Sequence, residues 1–586
     1  MEEVFILSDY TQFFKELTKQ LEFSDDRIIS LPTFDNESDW HDWTTQLFNN
    51  NTINKLVIPI STPTNNPINT DGLKIALHIR LNYELSLSQR LTPIISLSDF
   101  SVENILGKNN FDTDNNPQSL LFTKGVCLSS FDSEEIRKTI GKAEPCLPED
   151  YKKQVLNKLK ILAKASTGKH SITNAWGCFK LAQVTGFRDE IFKHEAISEH
   201  LKTLYSKYLI CYNEAFTQEK RIDLNTIKCN DKKILFIDDQ ADEGWGILMK
   251  NIFKGARNNF VFIDSAKYKN SETKLFNDFE GFLTECRSHI GKDWDLIIID
   301  LRLNPGKEDI DTEMIPPTEF TGYKLIDEFL NENEGYQIIV STASNKIWNI
   351  NAALERGASS YYVKESPEFN YSVNETKHHY ENFKNDVQKC FRRSYLRDIY
   401  KDNKQIIHNL NSRVNSDFIN ELQNQLSLAY SLLKDAKSDI EFAYAYISLY
   451  MIIEIINNEF YTKTSDDKWE ILDIGNLLYW KWDKNYNKYS NYGKEVVGNK
   501  PPEWQKFAGI YYQKWNMTDH DFIKQLYFLI KKRNGFVHSD KLILDKQDMS
   551  RNFLNHDIYN NVGYEKLFKH IKQIIGYLLC ETTTQR

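Results

Sequence analysis

Five polar side chains stand at the ends of short apolar runs, and together they could hold a metal ion and transfer a phosphoryl group. Asp238 and Asp239 follow one run, and Asp300, Thr342 and Lys364 belong to three others. The four segments are 232–240, 295–303, 338–343 and 356–364. Such runs are typical of fully buried parallel strands, and open α/β sheets bind ligands at the carboxyl ends of their strands. The pattern therefore predicts one crevice that holds three carboxylates, a hydroxyl and an ammonium group.

On these residues the segment 231–370 resembles the receiver domain of two-component response regulators. The resemblance implies that Asp238, Asp239 and Asp300 hold Mg²⁺, and that Asp300 accepts a phosphoryl group from a histidine kinase or another phosphodonor. The chemistry agrees, because Mg²⁺ prefers carboxylate, phosphate and water oxygens. An attacking carboxylate also needs nearby positive charge to offset the charge of the phosphoryl group. Mg²⁺ and Lys364 would supply that charge.

The same resemblance implies a conformational switch. Thr342 is the expected switch hydroxyl, Tyr361 the rotating aromatic residue and Lys364 the lysine that faces the phosphate. The sequence departs from the family at Glu365, where receivers usually carry proline. It also departs in 304–319, which predicts a loop insertion beside the acceptor. The alternative interpretation is a receiver-shaped scaffold that is never phosphorylated.

A second group of reactive residues, Arg533, Asn534 and His538, stands near the end of the sequence. Their spacing resembles the R-N-x-x-x-H motif of HEPN-domain ribonucleases. The resemblance implies a helical bundle over about 405–586 that cleaves RNA without a metal ion, commonly as a homodimer. The residue types suit this chemistry, since histidine exchanges a proton near neutral pH and arginine holds a phosphate through two hydrogen bonds. Asn534 can orient either partner.

Two apolar patterns give this motif a helical setting. The run 522–530 has the period of a helix and leads into the motif, and 442–460 predicts a long buried helix. Glu454 on the second helix matches the acidic residue that HEPN domains often place upstream. An alternative for Glu454 is a carboxylate that pairs with a core cation or lies on a solvated edge. The alternative for Arg533 and His538 is an ordinary surface arginine and a histidine at a helix end.

Residues 1–147 predict a second doubly wound α/β domain, because apolar runs alternate with helical patterns there. The expected strands are 4–8, 27–31, 55–60 and 91–97, with 120–127 as a candidate fifth. Asp9 follows the first strand, but Ile60 and Ser61 offer no acceptor aspartate at the end of the third. The interpretation is a degenerate receiver-like domain that serves in sensing or docking.

Helical segments are expected to connect these parts. Residues 148–230 predict a helical segment and linker, and 371–404 predict a linker helix. Lys169, Asn174 and Trp176 stand close together in the first of these. One interpretation is a ligand-binding or interdomain contact. The other is a helix N-terminus with Ser/Thr caps and a packed tryptophan.

Composition limits the class of protein. The chain of 586 residues is 41% hydrophobic and 13% aromatic, which is sufficient for several packed cores, and its net charge of −9 argues against a constitutive nucleic-acid binder. No apolar stretch approaches 18 residues, and no cationic leader begins the sequence, so neither a membrane span nor a signal peptide is expected. The eight cysteines form no Cys-x-x-Cys pair, which indicates a reducing cytoplasm and no zinc site.

The expected fold class is therefore α/β plus all-α: two doubly wound domains, the second receiver-like, and a HEPN-like bundle. Two functional classes remain. The first is a signal-regulated RNA endonuclease in which phosphorylation of Asp300 repositions the bundle, as would suit a bacterial antiphage defence or toxin effector. The second is a non-catalytic adaptor or RNA-binding module that phosphorylation switches. The pair of Arg533 and His538 favours the enzyme, because a binding module does not need it.

Overall fold

The computed structural model describes most of the chain, in two compact units. The described residues are 3–8, 11–31, 34, 36–61, 70–106, 117–159, 161–162, 169–214, 224–256, 259–271, 273–304, 319–343, 347–369, 371–411, 416–483, 488–537 and 561–584. The first unit comprises Met1–Glu328 with Gln337–Phe391, and the second comprises Phe329–Tyr336 with Arg392–Arg586. The boundary near residue 391 falls within the segment 371–404 that the sequence assigns to a linker helix.

The first unit begins with a five-stranded parallel sheet. Its strands are β1 (Val4–Ser8), β2 (Ile28–Ser30), β3 (Lys55–Pro59), β4 (Ile94–Leu97) and β5 (Val126–Ser129). The order is β2-β1-β3-β4-β5, which is a doubly wound order. The helices around it are α1 (Gln12–Gln20), α2 (Glu37–Asn50), α3 (Asp71–Arg80), α4 (Leu87–Arg90), α5 (Val102–Leu106) and α6 (Ser133–Lys142). The prediction of an α/β domain in this segment is confirmed, although β5 begins later than the expected 120–127.

Alternation along the strands gives this sheet two buried faces. Leu56 and Ile58 pack in the core on one face, whereas Ile6, Val57 and Ile95 pack on the other. A continuous apolar run is what a strand buried on both faces requires. A helical segment follows, with α7 (Tyr151–Gln154), α8 (Lys169–Thr185), α9 (Arg188–Phe192), α10 (Glu195–Leu201) and α11 (Leu204–Glu214).

A second parallel sheet repeats the order of the first. The strands that follow in the chain are β6 (Ile227–Lys228), β7 (Ile234–Ile237), β8 (Phe253–Lys254), β9 (Phe260–Phe262), β10 (Leu296–Asp300), β11 (Ile338–Thr342) and β12 (Ser360–Val363). The main sheet has the order β12-β11-β10-β7-β9, and β6 pairs with β8 separately. The helices are α12 (Trp245–Ile252), α13 (Phe279–Arg287), α14 (Thr321–Glu332), α15 (Ile347–Glu355) and α16 (Val373–Arg393). Most of the expected insertion at 304–319 lies outside the described residues.

The second unit is built mainly of helices, most of them 17 residues or longer. They are α17 (Tyr395–Asn411), α18 (Asp417–Asp435), α19 (Asp439–Phe460), α20 (Glu503–Gly509), α21 (His520–Val537) and α22 (Asn561–Thr584). The helices expected at 442–460 and 522–530 lie within α19 and α21. A capping box formed by Ser438 and Glu441 fixes the start of α19.

An antiparallel excursion interrupts these helices and corrects the expectation of an all-α domain over 405–586. Its strands are β13 (Tyr461–Lys463), β14 (Trp469–Ile471), β15 (Gly475–Asn476), β16 (Leu478–Asp483) and β17 (Lys488–Glu495). The physical reason is a local change of period: Trp480 is buried whereas Tyr479 and Lys481 are exposed. Alternation of this kind suits a half-buried strand and not a helix. The sequence contained this signal, but the helical interpretation of the whole segment overlooked it.

Two further features of the described residues concern the environment of the chain. In the described ranges, no helix is both long and apolar enough to cross a bilayer. All eight cysteines are free thiols. Cys580 is exposed and Cys127 is half-buried, whereas the others are buried as small apolar side chains.

Candidate functional site

The structure brings Asp238, Asp239, Asp300 and Lys364 together at the carboxyl end of the second sheet. Lys364 Nζ lies 2.6 Å from Asp300 Oδ2 and 2.9 Å from Asp238 Oδ2. One carboxylate oxygen from each of the three aspartates lies within 4.8 Å of the others. All four residues are at most 1% exposed. The crevice therefore has the charge inventory that the sequence pattern predicts, in surroundings that exclude water.

Burial and mutual repulsion dominate the electrostatics of this site. Burial, followed by the charges of Asp238 and Asp300, raises the pKa of Asp239 well above its usual range. Burial also raises the pKa of Asp238, although Lys364 opposes that shift. For Lys364, burial alone would lower the pKa, but the neighbouring carboxylates outweigh it and raise the pKa. Three carboxylates facing one ammonium group leave a deficit of positive charge, which is costly away from water.

The carboxylates fit a divalent cation. Both carboxylate oxygens of Asp239 are buried and have no hydrogen-bond partner. Buried acceptors are otherwise almost always satisfied, because leaving one unpaired costs about 1–3 kcal/mol. Mg²⁺ takes hard oxygen ligands from one or two carboxylates and completes its shell with water or phosphate oxygens. Asp238, Asp239 and Asp300 are the residues that would hold it.

The backbone around Asp300 directs its carboxylate toward Lys364. The Arg302 N–H donates to Asp300 Oδ1 at 3.1 Å, so Oδ2 is the oxygen that meets the lysine. Helix α14 starts directly against the same strand end: a Cβ on Gly322 would lie 2.2 Å from Asp300 O. The Gly322 N–H donates to Leu301 O at 3.0 Å. A side chain at position 322 would therefore push α14 away from Asp300.

The expected switch residues occupy different environments. Thr342 ends β11 and is 1% exposed, and its carbonyl accepts a hydrogen bond from the Lys364 N–H at 2.7 Å. Tyr361 pairs with Val340 but lies on the edge strand β12, and its side chain is 41% exposed. Thr342 is thus coupled through the backbone to the lysine of the site, whereas Tyr361 faces outward.

Glu365, the departure from the receiver pattern, has a structural role. Its side chain is 3% exposed, and Thr376 Oγ1 on α16 donates to its Oε2 at 2.9 Å. Burial raises the pKa of Glu365 to about 7, against the opposing charge of Lys180. The residue therefore anchors α16 immediately beside Lys364, at the cost of a buried acid.

We expect Glu365→Gln to stabilise the fold at alkaline pH. The pKa of Glu365 is raised from 4.5 to about 7 on folding. As pH rises through that window the unfolded chain loses a proton that the folded chain retains, so stability falls. Glutamine keeps the acceptor for Thr376 and removes this penalty. Urea unfolding should show the variant more stable than the parent by about 1–3 kcal/mol near pH 8, with little difference near pH 5.

The exposed Glu368 provides a matched control. Glu368→Gln should follow the pH dependence of the parent, because a solvated carboxylate carries no burial penalty. Equal destabilisation by Glu365→Gln at both pH values would contradict the assignment of a buried, proton-retaining acid.

The first sheet repeats the geometry around Asp300 without its chemistry. A Cβ on Gly72 would lie 1.8 Å from Pro59 O, and the Gly72 N–H donates to Ile60 O at 3.0 Å. These contacts match those of the glycine at the start of α14 with the end of the third strand. Pro59 therefore stands at the position that Asp300 occupies in the second sheet. Asp9, the other acidic candidate of this domain, lies outside the described residues.

Helix α8 adds a residue to the site that the sequence did not assign to it. Asn174 Oδ1 accepts a hydrogen bond from Lys364 Nζ at 3.1 Å. The Trp245 Nε1–H donates to Asn174 O at 3.2 Å, and Lys364 Nζ lies 4.9 Å from the centre of the Trp245 ring. The closely spaced polar and aromatic residues of this segment indicated a ligand-binding or interdomain contact, but they did not show that its partner is Lys364.

The nuclease-like residues are only partly within the described structure. Arg533 and Asn534 lie on α21, where their backbone is helical, but their side chains are outside the described residues, as is all of His538. Glu454 is half-buried on α19. Tyr446 Oη on α19 donates to Leu529 O on α21 at 3.1 Å, so these two helices pack together. The geometry of the four side chains relative to one another therefore stays a prediction.

Comparison with known proteins bears on the N-terminal segment. Residues 9–129 match the family model iREC, described as "Inactive Receiver domain". This part of the chain is receiver-like. The match begins directly after β1 and ends at the last residue of β5, so it includes four of the five strands and Pro59, the residue that occupies the position of Asp300. It supports the interpretation of a degenerate receiver-like domain.

Two other comparisons add no argument. No curated protein matches this chain. Among solved structures, the chain is similar to "The apo-structure of D-lactate dehydrogenase from Escherichia coli", with 10% identity and a TM-score of 0.14, over 66% of this chain and 93% of that one. A TM-score this low carries no information on fold or function.

Proposed function

We propose that the chain is a signal-regulated RNA endonuclease in which Asp300 accepts a phosphoryl group and thereby controls the helical second unit. The observation that carries the proposal is the contact of Lys364 Nζ with Asp300 Oδ2 at 2.6 Å, beside two further buried carboxylates. A metal-binding acidic cluster with one lysine is the set that phosphoryl transfer to aspartate requires. The resemblance of 231–370 to receiver domains points to the same reaction.

In the first reaction, a carboxylate oxygen of Asp300 attacks the phosphorus of a phosphodonor. A new P–O bond forms, and the bond between phosphorus and the donor's leaving group breaks, with its electron pair going to the donor. Lys364, which lies 2.6 Å from Asp300 Oδ2, neutralises charge on the phosphoryl oxygens. Bound Mg²⁺, held by Asp238, Asp239 and Asp300, would supply further charge neutralisation. The proposed donor is a histidine kinase or another phosphodonor.

In the second reaction, the helical unit cleaves RNA without a metal ion. The 2′-hydroxyl of the substrate attacks the adjacent phosphorus, and the bond to the 5′-oxygen breaks, which leaves a 2′,3′-cyclic phosphate. His538 exchanges the protons, and Arg533 stabilises the charge on the phosphate. Asn534 and Glu454 are the proposed positioning residues. Support comes from the R-N-x-x-x-H spacing and from the packing of α19 against the helix that leads into it.

The two reactions are joined by a population shift. Phosphorylation adds negative charge and three acceptor oxygens at the sheet edge, which favours a second arrangement of the receiver-like domain. The proposed protein is a cytoplasmic homodimer, as HEPN nucleases commonly are, and a bacterial antiphage defence or toxin effector suits it.

The second candidate function is a non-catalytic adaptor or RNA-binding module that phosphorylation switches. The observation that favours it is Pro59 at the acceptor position of the first sheet. One receiver-like domain of this chain thus lacks the carboxylate that would be phosphorylated, which suits a domain that binds a partner.

Regulated cleavage tests the proposal against this alternative. Purified protein is incubated with single-stranded RNA, with and without acetyl phosphate and Mg²⁺, alongside Asp300→Ala. The proposal expects cleavage that the phosphodonor increases in the parent but not in the variant. Binding of RNA without cleavage under both conditions would favour the adaptor. Cleavage that is equally fast in the parent and in Asp300→Ala under both conditions would remove regulation by Asp300.

A further inference from the structure

Helix α8 comes from outside the receiver-like segment, yet it reaches the lysine of the acceptor site. Its contact is the hydrogen bond from Lys364 Nζ to Asn174 Oδ1, 3.1 Å long, between residues 190 positions apart in the sequence. Lys364 is an ammonium group with three N–H donors. Asp238, Asp300 and Asn174 together account for three contacts of Nζ. The amide oxygen of Asn174 is thus the third acceptor around Lys364 Nζ.

Several contacts hold α8 in this position. A Cβ on Gly177 would lie 3.1 Å from Glu365 O, so the helix backbone passes directly over the residue that follows Lys364. Lys180 is fully buried, and its Nζ donates to Tyr371 O at 3.1 Å. Phe179 packs in the same core as Ile298 on β10. The helix is therefore seated by packing and polar contacts.

A phosphoryl group on Asp300 needs what α8 now uses. It would bring three acceptor oxygens and extra negative charge to the carboxylate, and Lys364 is the ammonium group in contact with that carboxylate. In the present arrangement the third donor of Lys364 is directed at a neutral amide. The acceptor is also only 1% exposed, which leaves no approach for a phosphodonor. In this arrangement Asn174 contacts Lys364 and, at the same time, Asp300 is buried.

We propose that α8 is an inhibitory occupant of the acceptor site, in which Asn174 Oδ1 holds the position on Lys364 that a phosphoryl oxygen takes. The helix must leave Lys364 before Asp300 is modified, and phosphorylation in turn keeps it displaced. The inference rests on the proposed role of Asp300 as phosphoacceptor. By linkage, seating of α8 and binding at Asp300 oppose each other to the same extent, and couplings of this kind are typically about 5- to 150-fold.

Binding of beryllofluoride, a phosphoryl analogue, tests the inference, because the inference predicts that Asn174→Ala raises the affinity for the analogue. The full-length parent, Asn174→Ala and Asn403→Ala are titrated with beryllofluoride in the presence of Mg²⁺. Asn403 is a matched control, since it is a buried asparagine whose Nδ2 donates to Leu426 O in the second unit. Asn174→Ala should bind the analogue at least about 5-fold more tightly than the parent, and Asn403→Ala should bind it equally. Unchanged or weaker binding by Asn174→Ala would overturn the inference, because a residue that merely positions Lys364 predicts weaker binding.

Hydrogen exchange gives a second, independent measurement. Amides of residues 174–182 should exchange faster in the parent once Mg²⁺ and beryllofluoride are bound, and should stay protected in Asp300→Ala. Unchanged protection of α8 in a parent with bound analogue would overturn the inference but leave Asp300 as acceptor. Failure of the parent and both asparagine variants to bind the analogue would instead overturn the acceptor role, and with it this inference.

Discussion

Asp300→Ala is expected to abolish transfer of phosphate to the chain from acetyl phosphate or a kinase. The physical reason is that the proposed nucleophile, the Asp300 carboxylate that lies 2.6 Å from Lys364 Nζ, is then gone. Lys364 keeps Asp238 as a partner, and two of the three carboxylates of the cluster remain, so the fold should tolerate the change. Labelling with radioactive phosphate, followed by separation of the protein, measures the loss directly.

The control for this prediction lies at the other end of the same segment. Asp295 pairs with Lys232 at 3.2 Å, away from the carboxyl end of β10. Asp295→Ala should therefore retain labelling. In the parent, a chelator of Mg²⁺ should prevent labelling, because Asp239 keeps two buried oxygens without a hydrogen bond for the metal to satisfy. Labelling that persists in Asp300→Ala would show that the acceptor lies elsewhere, and labelling in the presence of the chelator would contradict the role of Mg²⁺.

The second large effect concerns RNA cleavage by the helical unit. Replacing His538 or Arg533 with alanine should slow cleavage by at least about 10²-fold, the usual scale for a positioned proton-transfer group. Cleavage by the activated parent should continue in a chelator, since the proposed chemistry uses the substrate's own 2′-hydroxyl. For the same reason a 2′-deoxy substrate should resist cleavage. Gel analysis of labelled RNA, with identification of the terminal 2′,3′-cyclic phosphate, provides the measurement.

His408 supplies the matched control, because it is an exposed histidine on α17 in the same unit. His408→Ala should cleave as fast as the parent. If His538→Ala cleaved RNA at the parent rate, or if DNA were cut equally well, the proposed mechanism would be wrong and the adaptor would become the leading function.

Much of the first unit could be predicted from the sequence, because buried parallel strands produce uninterrupted apolar runs. Those of β7, β10 and β11 end in the polar residues that meet at the site. Strand β9 was missed, since three residues are too few for a pattern. The five strands of the second unit were missed because the whole segment was expected to be helical, and the alternation of buried and exposed residues in these strands was overlooked.

The contact of Asn174 with Lys364 lay beyond prediction for a different reason. Its two residues are 190 positions apart, and a single contact at that separation leaves no period in the sequence. The burial of Glu365 was hidden in the same way, because only the packing of α16 and α8 shows that a carboxylate at this position is enclosed. Sequence patterns indicate which face of a helix or strand is buried and where the element ends. The Asn174–Lys364 contact and the burial of Glu365 depend instead on which helices and strands pack together.

Pro59 at the end of β3 limits the number of positions at which this chain could be phosphorylated. The two sheets have the same strand order, but only the second has an aspartate, Asp300, at this position. If Asp300 is the proposed phosphoacceptor, each chain would take one phosphoryl group there and could not take a second at the equivalent position. A graded response would therefore depend on the fraction of chains that are phosphorylated, or on the pairing of phosphorylated with unphosphorylated chains. In the proposed dimer, two such chains would give three states, with neither, one or both chains phosphorylated.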